Sequence, residues 1–414
     1  MIAATGLLTA AAQVRYAGAQ TYGLISVIST LSLLLPFADL GLGAAVTTAV
    51  ADRRSEPAAM WATLRAARTR LTLVACSGVL VCAAVSLSGQ WERLLGAQLT
   101  TLGQMAAGLA VAAFFISVPF GLAQRILVGL DQSHVAALIP AGASLVNLVL
   151  TLAVIAVGAP PILMSIAMPL GVCLAFAVML LVALRALKRQ HVPRPVGDHP
   201  PKLLAGSGAM LLISIGLPLG LQSGRLLLSH TSDLGAVANF AIGSQFYGMA
   251  WGVMSAAGMA LWPAFVRLRA DADNSLRQWQ QATIAFSSIG VVGAAALGLL
   301  SPTVARLMTG GRVDVSIALG SSFGLLLLAQ AMHLPSGMML TKPRELWWQA
   351  GCVIAMACVA VVGAAMTAST WGAVAVPLWA GIAVVSCQVI PDQLMTRRLL
   401  NRRQPLACGV TSVT

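Results

Sequence analysis

The chain has 414 residues, of which 58% are hydrophobic and 9% are charged, whereas soluble domains carry about 25% charged residues. Most of the chain therefore cannot face water, which excludes a soluble enzyme or a soluble binding domain. The net charge of +13 is typical of nucleic-acid-binding proteins, but in a chain this apolar the charges must first be placed relative to a membrane.

Apolar runs long enough to cross a membrane recur along the whole sequence. A spanning helix needs about 20 mostly apolar residues, and candidate runs lie at 1–14, 20–50, 71–88, 103–123, 135–157, 162–184, 203–221, 235–264, 281–300, 315–335, 349–369 and 372–391. The first is short, so either it extends to about Ala19 or the true start lies upstream of Met1. A cleaved signal peptide ending near residues 10–12 is a rival interpretation, which the missing basic segment disfavours. We predict an all-α polytopic membrane protein with about 12 transmembrane helices.

Lysine and arginine are distributed unevenly between the predicted loops. With the N-terminus placed in the cytoplasm, 20 of the 25 fall in cytoplasmic segments and 5 on the other side. Because positive residues are enriched in cytoplasmic loops, this bias predicts a multi-pass protein of the inner (plasma) membrane with both termini in the cytoplasm. Most of the net charge is thereby assigned to topology and to contact with anionic membrane lipids, and none of it to nucleic acid.

A basic, proline-rich stretch at 185–202 separates two sets of six predicted helices. Proline prevents a continuous helix there. We therefore predict an N-terminal six-helix bundle at 1–184, a cytoplasmic linker at 185–202, a C-terminal six-helix bundle at 203–391 and a cytoplasmic tail at 392–414. The halves are weakly alike, because Arg15 and Arg225 each follow the first helix of a half. Parallel repeats with a site at their interface are common in transporters, and chance similarity between alanine-rich helices is the alternative.

Charged residues within or beside apolar runs are the strongest functional signal, because a buried charge usually faces a cavity or a partner. Arg15 and Arg225 are predicted at the outer ends of their helices, where two guanidinium groups could clamp one diphosphate. Alternatively, they reach outward to lipid headgroups. Gln222 is a supporting donor beside Arg225. Asp39 lies deep in an apolar run after Pro36, where it either pairs with a cavity arginine, binds a proton or cation, or caps the end of its helix.

Uncharged polar residues within the predicted spans are a weaker signal. Such groups usually make interhelical hydrogen bonds, and they occur at Asn147, Gln245, Tyr247, Gln330 and His333. Gln245 is kept, with Tyr22, as a candidate substrate-binding residue, and His333 could relay protons.

Glycines at four-residue steps predict close helix packing at Gly216, Gly220 and Gly224, at Gly248 and Gly252, and at Gly320 and Gly324. The sequence shows no catalytic constellation, no metal-ligand cluster and no phosphate loop. We therefore predict that the protein is not an enzyme and that it uses no cofactor or metal.

Two segments carry a family resemblance. Residues 15–50 contain an arginine, a glycine step to Tyr22-Gly23 and a long helix ending in Asp39-Leu40-Gly41-Leu42. This pattern resembles the opening of the polysaccharide-biosynthesis flippases, which carry lipid-linked oligosaccharides. Residues 234–249 and 260–270 resemble the eighth helix of that family and its Trp-Pro exit, and the similarity extends at low identity over nearly the whole chain.

The resemblance implies the fold shared with multidrug and toxic-compound extrusion transporters and with lipid II flippases, in which two six-helix bundles form a V around a central cavity. It also implies alternating access, a cationic cavity for the pyrophosphate and a groove for the polyprenyl tail. Arg15 and Asp39 match the first motif, and Arg225 is carried over with them.

We therefore predict a flippase that moves undecaprenyl-diphosphate-linked oligosaccharide from the cytoplasmic to the outer leaflet, with a glycan polymerase or glycosyltransferases as further partners. A drug/cation antiporter of the same fold is the first alternative, although it would need an acidic cavity. A membrane-embedded polymerase or acyltransferase would need a sizeable outer loop or an intramembrane His/Asp pair, and neither is evident in the sequence. A non-transporting scaffold in glycan assembly is the remaining alternative.

Overall fold

The computed structural model describes residues 2–31, 42–53, 56–190, 207–259 and 272–401, together with Leu261 and Phe265. The N-terminal half consists of helices α1 (Ile2–Ala17), α2 (Ala19–Leu31), α3 (Leu42–Ala51), α4 (Pro57–Leu87), α5 (Trp91–Leu95), α6 (Thr101–Ser117), α7 (Leu122–Gly129), α8 (Ser133–Val157) and α9 (Met164–Arg189). The second predicted span thus begins as α2, and Asp39 lies in the segment 32–41, outside the described residues.

The C-terminal half is also helical. It consists of α10 (Ser207–Gln222), α11 (Gly224–Thr231), α12 (Leu234–Met259), α13 (Ala272–Thr309), α14 (Ile317–Met339), α15 (Pro343–Trp371), α16 (Ala375–Val384) and α17 (Ile390–Asn401). One π-helical turn, Val385–Val389, joins α16 to α17.

Long apolar helices provide the membrane passes. Seven described segments are long and apolar enough to cross a membrane, or eight if the bent pair Gly208–Gln222 and Gly224–Thr231 forms one span. One of the seven, Pro343–Asn401, is 59 residues long and reverses at Gly372, so that α15 packs along α16. The φ of Gly372 is 54°, a left-handed conformation that glycine adopts without strain. The prediction of an all-α polytopic membrane fold is confirmed.

Two predicted boundaries fall inside helices. Helix α9 continues to Arg189, past the predicted start of the linker at 185, and residues 191–206 lie outside the described part of the chain. Helix α17 continues to Asn401, so the predicted tail at 392–414 begins within a helix. The arginines near its end suggested a tail, but one face of the same helix is buried, with Asp392 and Leu400 each only 1% exposed.

Among the described residues, the large hydrophobic cluster that both halves share lies toward one side of the membrane. We call the side where α4 begins and α9 ends the basic face, and the other side the opposite face. One cluster of buried residues, including Val14, Ile28, Ile242 and Leu319, joins both halves toward the opposite face. Toward the basic face each half has its own clusters. Because buried apolar area holds helices together, this shared cluster joins the two halves at the opposite face.

The two halves touch backbone to backbone where α2 meets α12. A Cβ atom added at Gly23 would lie 2.2 Å from the carbonyl oxygen of Leu234. We therefore expect Gly23→Ala to force the helices apart and to destabilise the protein by about 1–3 kcal/mol, the usual cost of overpacking. Thermal unfolding in detergent measures this effect. Gly142→Ala is the matched control, because a Cβ at Gly142 meets nothing within 4 Å, and equal melting temperatures for the two variants would contradict the prediction.

Candidate functional site

A cavity of about 780 Å³ lies between the two halves. Helices α1, α2, α8 and α9 form one wall, and α11 and α12 form the other. Its polar lining consists of Thr9, Gln13, Tyr22, Ser26, Ser29, Ser144, Asn147, Arg225, Ser244 and Gln245. Small-molecule sites typically have volumes of about 300–1,000 Å³ with a few convergent polar groups, so this cavity is the candidate site.

A break in the first span of the C-terminal half places Arg225 in this cavity. Helices α10 and α11 meet at an angle of 45°, and the residues at the break are Ser223 and Gly224. Kinks commonly occur at such Gly/Ser pairs. Arg225 directly follows the break, in the first turn of α11, and it lines the cavity rather than lying at the outer end of a helix. The predicted placement at the helix end was wrong because the break is not visible in the hydropathy pattern.

Both halves contribute hydrogen-bond partners to Arg225. Its guanidinium donates to Thr30 Oγ1 on α2 at 3.0 Å and to Ser244 Oγ on α12 at 2.8 Å. Both acceptors are neutral, so they orient the guanidinium without cancelling its charge. Arg225 is also the only charged side chain among the described residues that line the cavity. The described part of the cavity is therefore suited to an anion.

Two other predicted ligands, Tyr22 and Gln245, also line the cavity. The Tyr22 hydroxyl interacts with the side chain of Gln245, and Gln13 Nε2 donates to Thr151 Oγ1 at 3.2 Å. Asn147, which sequence reasoning assigned to helix packing, belongs to the same lining, and its Oδ1 is buried with no hydrogen-bond partner. Asn147 is therefore a candidate site residue. The sequence alone could not distinguish it from amide side chains that only hold helices together.

Arg15 does not join Arg225. Its Nε and one terminal nitrogen donate to the carbonyl oxygens of Met308 at 2.8 Å and Leu307 at 2.9 Å, in the last turn of α13. Arg312 in turn donates to the carbonyl oxygens of Val14 and Arg15, in the last turn of α1. Each arginine thus caps the C-terminus of a helix from the other half, where cations are favoured. Arg15 and Arg225 therefore do not lie together, and this geometry does not allow both to bind one diphosphate.

Gln222 lies outside the cavity as well. It is the last residue of α10, it is exposed, and it is not among the described residues that line the cavity. The helix axis bends by 45° directly after Gln222, so Gln222 and Arg225 lie on helices with different directions. The spacing of the two residues in the sequence does not show this bend.

A second polar cluster lies within the C-terminal half near the basic face. Asp392 accepts hydrogen bonds from Trp348 Nε1 at 2.9 Å and contacts His333 Nε2 at 2.9 Å. The intramembrane His/Asp pair that was missed in the sequence is therefore present. It does not line the cavity between the halves. The interhelical bond predicted for Tyr247 is also present, since its hydroxyl donates to Gln330.

Asp392→Ala is expected to destabilise the protein by about 1–3 kcal/mol, because it removes the hydrogen bonds that Trp348 and His333 make to a carboxyl group only 1% exposed, and each such bond contributes about 0.5–1.5 kcal/mol net. The measurement is the free energy of unfolding in detergent. Asp314→Ala is the matched control, since the Arg306–Asp314 pair spans 3.6 Å with side chains 68% and 65% exposed and exposed pairs contribute about 0–1 kcal/mol. Equal losses in the two variants would show that the Asp392 cluster adds nothing to stability.

Neither a family sequence profile nor a curated protein sequence matches this chain. Solved structures do match it over nearly its whole length. An inward-facing multidrug resistance MATE transporter of the MOP superfamily is 16% identical with a TM-score of 0.66, covering 98% of this chain and 96% of its own. The lipid II flippase MurJ in an inward closed conformation is 12% identical with a TM-score of 0.63, covering 96% and 86%. The Vibrio cholerae MATE transporter VcmN in its bent form is 17% identical with a TM-score of 0.57, covering 97% and 93%.

These similarities establish the fold. The chain has the fold of MATE transporters and of a lipid II flippase, and its described residues form long apolar helices. At identities of 12–17% the likeness establishes the fold and leaves the substrate to be inferred from the site.

Proposed function

We propose that this protein is a flippase that moves a polyprenyl-diphosphate-linked oligosaccharide from the cytoplasmic to the outer leaflet of the cell membrane by alternating access. The observation that supports this most directly is the charge of the cavity. Arg225 is its one charged group among the described lining residues, and neutral hydroxyl and amide groups surround it. A diphosphate cannot enter hydrocarbon unless other polar groups take the place of its bound water. The guanidinium, hydroxyl and amide groups of this lining can do so.

The size of the cavity is consistent with a headgroup rather than a whole lipid-linked glycan. A volume of about 780 Å³ is that of a site for a drug-sized ligand. The cavity would therefore hold the diphosphate and the sugars next to it, while the polyprenyl chain stays in the bilayer. The excess of Lys and Arg on the basic face supports a cytoplasmic location for that face. Halves joined at the opposite face would then receive substrate from the cytoplasmic side.

The alternatives differ in the charge of what they carry. A drug/cation antiporter has to attract a cation, and Arg225 repels one. A scaffold for glycan polymerase or glycosyltransferases needs no charged group in a cavity at all. Both share the fold, so only transport measurements separate them from the flippase.

The test uses the purified protein in liposomes. The assay follows a fluorescent polyprenyl-diphosphate disaccharide from one leaflet to the other and, in parallel, the uptake of a cationic dye along an ion gradient. We expect protein-dependent flipping of the lipid and no uptake of the dye. Dye uptake without flipping would establish the antiporter, and neither activity would favour the scaffold.

A further inference from the structure

A second cavity lies within the N-terminal half, away from the site between the halves. It is a groove of about 600 Å³ between α4, the α6–α7 turn and α9. Two arginines, Arg65 and Arg68, stand on its α4 side, and its other walls are mainly apolar, including Phe120, Leu180 and Leu184. None of the described residues that line it is acidic.

The groove is located where hydrocarbon meets the headgroups of the basic face. On α4, lipid-facing side chains begin at Leu73, which is 65% exposed, about 7 Å along the helix axis from Arg68 at a rise of about 1.5 Å per residue. On α9, Leu184 is 44% exposed and is followed directly by the basic end of the helix. Both walls therefore change from apolar to cationic at the same depth.

The groove has positive charge at one end and apolar walls beyond it, which complements the negative headgroup and the acyl chains of an anionic phospholipid. Arg65 and Arg68 are three residues apart on a helix, so their side chains share one face. Guanidinium groups bind phosphate oxygens in two-point geometry. The apolar walls are suited to the first part of an acyl chain, and Trp61, which also lines the groove, belongs to the residue types that favour the membrane interface.

We propose that this groove is a binding site for an anionic phospholipid of the leaflet at the basic face. The phosphate lies on Arg65 and Arg68, and an acyl chain lies against Phe120, Leu180 and Leu184. A bound lipid there would contact three segments of the N-terminal half and hold them together as that half moves. The site is independent of the substrate cavity and of the function proposed for it.

The test is native mass spectrometry of the full-length protein released from nanodiscs that contain equal amounts of phosphatidylglycerol and phosphatidylcholine. We expect retained phosphatidylglycerol to exceed phosphatidylcholine by about tenfold, in line with the contribution of individual basic residues near a membrane. The variant R65Q/R68Q is expected to lose this preference. R397Q/R398Q is the control, since it removes two exposed charges from the end of α17 outside the groove.

A second variant separates the groove from diffuse surface charge. Leu184→Trp fills the apolar part and leaves both arginines in place, and it is expected to reduce retention as well. Equal loss in R397Q/R398Q, or full retention in Leu184→Trp, would overturn the proposal. So would complete displacement of phosphatidylglycerol by an equal amount of undecaprenyl phosphate, because the groove would then be a substrate site.

Discussion

Replacing Arg225 with alanine is expected to reduce flipping of a diphosphate-linked lipid by at least about tenfold, and up to about a hundredfold. Hydrogen bonds to charged groups contribute about 1.5–3 kcal/mol net, and each 1.4 kcal/mol is about a factor of ten. Arg225 supplies the cavity's charge within its described lining, so its loss removes the main attraction for an anion. Arg225→Lys keeps the charge without the two-point fork and is expected to give an intermediate rate.

Arg225 also forms hydrogen bonds to both halves, so its replacement could slow flipping by weakening their packing. A second variant tests this explanation. Thr30→Val removes one acceptor of the guanidinium, Thr30 Oγ1 at 3.0 Å, and keeps the cavity charge. If Arg225 acts through its charge, Thr30→Val flips substrate at nearly the normal rate while Arg225→Ala does not. The rates are measured in proteoliposomes with matched protein content and melting temperatures. Equal impairment of both variants would assign Arg225 to packing between the halves.

Replacing both Arg15 and Arg312 with alanine is expected to let the two halves separate at the opposite face. These arginines cap helix ends across the two halves, and these contacts must break when the halves separate there. At about 1 kcal/mol for each cation at a helix C-terminus, or about 2 kcal/mol for the pair, the double change favours the open arrangement by about 30-fold.

Spin-label distances measure this shift directly. Labels at Val157 and Ile317, which are 82% and 62% exposed, stand on the two halves at the opposite face. We expect a longer-distance population to appear in the double variant. Arg93→Ala is the matched control, because its guanidinium bonds to Gln90 within the same half. An unchanged distance distribution in the double variant would show that these arginines do not hold the face closed.

The all-α membrane fold could be predicted from the sequence because hydrocarbon demands long apolar helices, although seven or eight described segments, rather than twelve, are long and apolar enough to cross a membrane. Arg225 stood out for the same reason, since a charge inside a span needs a special environment. The pairing of Arg15 with Arg225 could not be decided, because it depends on which helix ends face each other across the halves. Asp39 lies outside the described residues, so its predicted role stays a prediction.

Glycine spacing shows how one pattern can serve two purposes. A Cβ at Gly220 would meet the Met356 sulfur at 2.8 Å, so the predicted close packing is confirmed there. Gly248 and Gly252 have the same four-residue step, but a Cβ at either meets nothing within 4 Å, and both line the cavity. The four-residue glycine spacing predicts a helix face without side chains. Whether that face packs against another helix or lines a cavity depends on where the neighbouring helices lie.

The most direct test of the central claim is the affinity of the purified protein for a short-chain polyprenyl diphosphate, measured by calorimetry for the wild type and Arg225→Ala. Because the cavity is proposed to hold an anionic headgroup on Arg225, binding to the variant should be at least about tenfold weaker, equivalent to about 1.4 kcal/mol. Equal affinity for the two proteins, or competition by a cationic drug at the same site, would contradict the account.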